Sequence, residues 1–121
     1  MAGPRDQGAR RERQAESFLR RRGLKALERN FHCRFGEIDL VMLHGPVLVF
    51  VEVRYRRSSR FGSGAETVTR AKQRRLISAA RNYLGRHRQH AGRPCRFDVV
   101  SMGDGANGTE IDWIRDAFDS D

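Results

Sequence analysis

Two apolar runs separated by one short break do most to limit what this chain can fold into. Glu37 to Leu43 and Val47 to Arg54 are rich in β-branched residues, and His44-Gly45-Pro46 parts them. That is the pattern of two strands joined by a reverse turn. Both faces of the pair are apolar apart from a few charges, so the hairpin is expected to be central in a sheet and covered. With the turn symmetric about Gly45-Pro46, facing residues have numbers summing to 91, which sets Asp39 opposite Glu52 and Glu37 opposite Arg54. All four charges then cluster at one end of the hairpin.

The rest of the chain supplies the covers. A helix is expected from about Ala9 to Arg22, with Ala15, Phe18 and Leu19 as its apolar stripe and Gly23 as its stop. Glu12 falls on that stripe, while Arg10, Arg11, Arg13, Arg20 and Arg21 lie largely around the other side. Leu24 to Phe31 alternates loosely and reads as a first strand. After an Arg/Ser/Gly loop from Tyr55 to Gly64, Thr67 or Thr69 caps a second helix reaching about Tyr83–Leu84. Its Leu76, Ile77, Ala80, Tyr83 and Leu84 keep helical spacing. Arg86 to Pro94 reads as a basic loop, Phe97 to Met102 as a strand, and Ile111 to Ile114 as a short last strand.

Three consecutive strands imply an antiparallel meander, and the helix after them permits a crossover to a parallel partner. The expectation is an α/β fold, a mixed β-sheet flanked by helices. Residues 1–8 are expected to be a disordered start, 9–118 a single domain and 119–121 an acidic tail.

Charge narrows the partners. The 121 residues carry 24 Lys+Arg against 15 Asp+Glu, a formal net charge of +9. From residue 103 onward the balance is −5, which leaves +14 for the rest. Such a body attracts polyanions by neutralising phosphates and releasing counterions; an Arg-rich but merely soluble protein has the same composition. Cys33 and Cys95 have no zinc-finger spacing and read as free thiols of a reducing compartment. No run approaches the ~18 apolar residues of a membrane span, and the first residues lack the apolar core of a signal peptide. A cytoplasmic location without membrane contact is expected.

The charged end of the hairpin carries the chemistry. Cross-strand neighbours stand ~5 Å apart at Cβ, so Asp39 and Glu52 repel unless something neutralises them. A divalent cation such as Mg2+, or Mn2+ in its place, takes one or two carboxylates plus waters and a substrate phosphate. Held there, it suits hydrolysis of a nucleic-acid backbone delivered by a basic surface. The alternative is a cross-strand ion-pair network, with Glu37 on Arg54 and Asp39 or Glu52 on Arg56 or Arg57. The run Val47-Leu48-Val49-Phe50-Val51 leads straight into Glu52, and burying unpaired acids after it is costly, which favours the cation.

Asp39 followed by Glu52-Val53-Arg54 resembles the PD-(D/E)XK nuclease pattern, with Arg where that pattern has Lys. The chain resembles more closely the YraN-like family of small bacterial proteins, itself similar to archaeal Holliday-junction resolvases. The matching pieces are Glu12 with Ala15, Leu19 and Gly23; Asn30; Gly36-Glu37-Ile38-Asp39-Leu40-Val41; Phe50-Val51-Glu52-Val53-Arg54; Lys72 with Leu76; Arg96-Phe97-Asp98-Val99-Val100; and Ala117-Phe118. The resemblance implies a restriction-endonuclease-like core of α-β-β-β-α-β order. It also implies Asp39, Glu52 and the main-chain carbonyl of Val53 as metal ligands, assisted by Glu12. A Lys at the last motif position is usually assigned to orient or activate water. Arg54 can stabilise negative charge there, but its pKa rules it out as a general base.

Other positions carry weaker signals. Arg56, Arg57 and Arg60, just beyond the ligand strand, are candidates for backbone contacts to DNA, with Lys72, Arg74 and Arg75 of the second helix as further ones. His32, His44, His87 and His90 lack metal-ligand spacing, and Phe61 with Gly62 reads as a loop aromatic on the core or a mobile cover. Trp113 and Phe118 are expected to anchor the C-terminus, and Asp98 to be structural. Three readings follow: a Mg2+- or Mn2+-dependent endonuclease acting on DNA rather than RNA; a nuclease-like binding module without turnover; or a protein-interaction module, a homodimer included.

Overall fold

The computed structural model describes residues 4–56, 68–106 and 108–120, with side chains from Gln7 onward. Their order is α1 (Pro4–Arg20), β1 (Leu24–Cys33), β2 (Gly36–His44), β3 (Val47–Arg56), α2 (Arg70–Arg86), β4 (Cys95–Gly105) and β5 (Gly108–Phe118). One five-stranded sheet runs β1-β2-β3-β4-β5, with β3 and β4 parallel and the other pairs antiparallel. This is the α/β, restriction-endonuclease-like mixed sheet expected, with the short last strand lengthened into a full edge strand. No helix among the described residues is long and apolar enough to cross a membrane.

Each face of the sheet is covered by one helix. On one face Ala15 and Leu19 of α1 pack with Leu24, Leu40, Met42, Val49, Val51, Val100 and Met102. On the other, Leu76, Ala79, Ala80 and Tyr83 of α2 pack with Phe31, Ile38, Val41, Leu48, Phe50, Phe97 and Val99. Strand alternation explains the division on β3: Leu48 and Phe50 look to α2, Val49 and Val51 to α1. Complete burial of each such side chain contributes roughly 1.5–3 kcal/mol. The all-apolar reading of the hairpin thus follows from its position between two layers.

Element ends differ from the sequence reading in ways that have local causes. α1 begins at Pro4, earlier than Ala9, because proline at the first helical position gives up no hydrogen bond and already has helical φ. Its stop is as expected: Gly23 takes φ 95°, a left-handed conformation suited to glycine. Thr69 caps α2, its hydroxyl accepting from the Lys72 N–H at 3.1 Å. Thr67 lies outside the described residues. α2 continues to Arg86, and the basic loop after it holds one 3-10 turn at Arg88–His90.

β5 is eleven residues rather than a short Ile111–Ile114 strand. Thr109 and Glu110 before the middle and Arg115 and Asp116 after it are polar, so alternation alone marks only the middle. Asp98 supplies what alternation does not. Fully buried, it accepts from Arg96 Nε at 3.0 Å, Trp113 Nε1 at 2.8 Å and the Asp116 N–H at 2.9 Å. A single β4 carboxylate therefore ties down β5, the structural role expected of it. Phe118 stacks on Phe97 at 4.9 Å and fixes the end of the strand.

Candidate functional site

The β2–β3 register is the one expected, facing residues summing to 91 from His44↔Val47 to Leu40↔Val51. The ladder's last recorded pair lies just before the two acids. Asp39 Oδ2 accepts the Val53 N–H at 2.8 Å, so a side chain takes a main-chain donor of the neighbouring strand. Alternation along β2 also breaks here, since Ile38 packs on the α2 side and Leu40 on the α1 side. On β1, Asn30 adopts φ 52°, a conformation Asn tolerates better than most residues. The sheet loosens at the point where the charges lie.

Four elements meet there. Alternation on β3 turns Glu52 toward α2, where Lys72 Nζ lies 3.5 Å from its Oε1; Glu52 is only 6% exposed. From the opposite helix, the Glu12 carboxyl comes within side-chain hydrogen-bonding reach of Asn30 and Asp39. Arg54 lies close enough to lower the pKa of both Asp39 and Glu52. Glu37 is exposed and lies 3.1 Å from the ring of its β1 partner His32.

The electrostatics are those of acids held together without enough compensation. Burial, then the Asp39 charge, pushes the Glu52 carboxyl up to about 7 against the pull of Lys72 and Arg54. Burial also raises Asp39, despite its hydrogen bond from Val53 and the charge of Lys72. Glu12 is raised by burial first and by Asp39 second. Among the described residues no three His, Cys, Asp or Glu side chains form a ready cation cage. The donor set suits a hard cation completed by water and phosphate, not zinc, which is usually held by four protein ligands or by three with one open position.

Other expected site residues fare differently. Arg56 is committed to the sheet: its guanidinium, 13% exposed, reaches Ser101 Oγ at 2.8 Å and Asp112 at 3.1 Å, with Glu110 at 3.7 Å. It lies across Gly103, where a Cβ would stand 2.9 Å from Arg56 Cγ. Its charge is thus neutralised, at least in part, by the acids of β5. Arg57, Arg60, Phe61 and Gly62 lie outside the described residues. Arg75 is exposed on α2 beside Lys72.

Two features escape the sequence reading. Lys72 is drawn into the carboxylate site; the available signal was that the first turn of α2 has no acid and instead a lysine, against the helix dipole. Glu16, one turn after Glu12, is 6% exposed and forms a two-pronged ion pair with Arg29, whose Nη2 donates at 2.7 Å.

The family described as uncharacterised protein family UPF0102 matches residues 11–102, from the start of the Glu12 turn to the end of the β4 core. A UPF0102 protein of Nitrosococcus oceani is 50% identical over 114 residues, covering 94% of this chain and 92% of that protein. One from Nitrosomonas europaea is 49% identical over 119 residues and covers 98% of each. One from Stutzerimonas stutzeri is 46% identical over 120 residues, 99% of this chain and 100% of that protein. The YraN-like resemblance drawn from the motifs agrees with these matches, and the chain belongs to the UPF0102 family.

Proposed function

We propose that this protein is a divalent-metal-dependent nuclease-like enzyme that hydrolyses phosphodiester bonds in DNA, branched or damaged DNA included, using Mg2+ or Mn2+. One observation carries the reading: acids from two central strands are desolvated together where a third acid and a lysine arrive from opposite helices. Such burial is costly for unpaired acids, and a bound cation offsets it.

Asp39, Glu52 and the Val53 carbonyl would hold the cation, with Glu12 adjusting the charge on Asp39. When bound, the cation would supply a water of lowered pKa and stabilise charge on the phosphoryl group. Lys72 fills the position that Arg54 cannot. Its ammonium, held by Glu52, has further N–H donors with which to orient a water. Arg54, which does not give up its proton, would neutralise phosphate charge.

Nicking and cleavage assays on linear, flapped and four-way DNA in Mg2+ or Mn2+ test this. Asp39→Ala and Glu52→Ala should each lower the rate at least ~100-fold, and Lys72→Ala by roughly 10- to 100-fold. Cleavage that survives in both carboxylate variants, or none on any substrate, overturns it. The Arg54 substitution favours a second reading, a nucleic-acid-binding module with weak or no turnover. Its signature is salt-dependent binding unchanged by Asp39→Ala and unaccompanied by cleavage.

A further inference from the structure

Phe35, at the β1–β2 turn, is 40% exposed, the most exposed large hydrophobic among the described residues. The Arg34 guanidinium lies 4.9 Å from its ring centroid. The turn leans on α2: a Cβ at Gly36 would meet Cβ of Arg75 at 3.5 Å. Two shallow recesses result. One is lined by Phe35, Ala71, Arg74, Arg75 and Ser78. The other includes His32, Glu37, Lys72 and Arg75. Arg75 is the wall they share, and Lys72 joins the second recess to the carboxylate site.

Along this strip Lys72 is engaged by Glu52 and the one other acid, Glu37, by His32, which leaves Arg34, Arg74 and Arg75 as the cations facing outward. No ion pair to Arg74 or Arg75 occurs among the described residues. Unneutralised arginines bordering an exposed aromatic ring match a polyanion whose flat faces are available for stacking. Duplex DNA offers a protein phosphates and base edges in its grooves, whereas an unpaired base offers its π-face. The chemistry favours a single strand.

We propose that this strip seats an unpaired DNA strand leading out of the carboxylate site, with Phe35 stacked on a base and Arg74 and Arg75 on the phosphates. The proposal deepens the nuclease reading, on which it rests, by naming the substrate class: DNA with a single-stranded arm, such as a flap or fork.

Fluorescence polarisation of the full chain in EDTA, with labelled oligothymidylate and a blunt duplex as probes, tests the surface apart from catalysis. Phe35→Ala should weaken single-strand binding by about fivefold or more and change duplex binding less than about twofold, while Phe35→Trp restores it. Replacing Arg74 and Arg75 by Ala should also lower the salt slope for the single strand by roughly one to two. Equal losses on both probes with Phe35→Ala, or no loss on either, overturn the proposal. Phe35-dependent single-strand binding without Asp39-dependent cleavage would sink the nuclease reading and leave the surface standing. Asp39-dependent cleavage of blunt and flapped DNA alike, unaltered by Phe35→Ala, would do the reverse.

Discussion

Glu52 sits where stability and chemistry pull against each other. Its carboxyl binds a proton more tightly in the folded chain, near pH 7, than in the unfolded chain, near 4.5. Stability is therefore lost as pH rises from about 4.5 through 7 in the metal-free protein. Glu52→Gln mimics the protonated form and should raise stability at pH 8 by on the order of 2 kcal/mol, flattening the pH dependence of Tm measured in EDTA. A wild-type Tm that climbs over this interval would contradict the assigned burial. Glu16 has the opposite sign: Arg29 first holds its carboxyl below the ordinary range, so its contribution is present above about 4.5 and fades as pH falls further. Removing the exposed Arg29 leaves the buried acid with only the longer, solvated contact from Arg20 at 3.6 Å, whereas removing Glu16 leaves only solvated cations. Arg29→Ala should thus cost about 1–3 kcal/mol in urea unfolding at pH 7, more than Glu16→Gln. At this scale the sequence was partly legible. Glu12 stood out as an acid on an apolar stripe; Glu16 did not, and Lys72 stood out only as a phosphate contact and not as a neighbour of Glu52, because their partners lie on other elements.

Among the elements, α2 connects fold to site most directly. Thr69 Oγ1 holds the Lys72 N–H and so fixes the first turn that presents the ammonium to Glu52. Thr69→Ala should cost about 1 kcal/mol, while Thr69→Ser keeps the bond. If the cap also positions Lys72, the Ala variant lowers cleavage beyond what its Tm shift explains; equal rates in the Ser and Ala variants would limit the cap to stability. Thr69 was readable because a capping residue acts on its own helix. β5 was readable only in its middle, because Thr109, Glu110, Arg115 and Asp116 on either side are polar and its pairing depends on β4 and on Asp98. Arg56 shows the same dependence: in sequence it stands four residues after Glu52, yet parallel pairing sets it against Gly103 and the acids of β5.

For the whole molecule, the basic excess and the buried acids act together. Part of that excess is internal, since Arg56 neutralises Glu110 and Asp112. What remains outside can draw in a polyanion, and a cation at the acids would remove the penalty of burying them. Mg2+ or Mn2+ at about 100 times its Kd should stabilise the protein by roughly 2.7 kcal/mol, read as a rise in Tm. Asp39→Ala should abolish the rise; an equal rise in that variant would mean ions bind elsewhere. By itself the sequence determined the central hairpin, its register, the covering helices and the pair Asp39 and Glu52, because periodicity, turns and caps act over a few neighbouring residues. Only the tertiary structure decided that the β2–β3 ladder ends just short of those acids, that Lys72 joins them and that the acids of β5 hold Arg56. Those outcomes depend on which chain-distant groups share a desolvated space, and no local pattern encodes that.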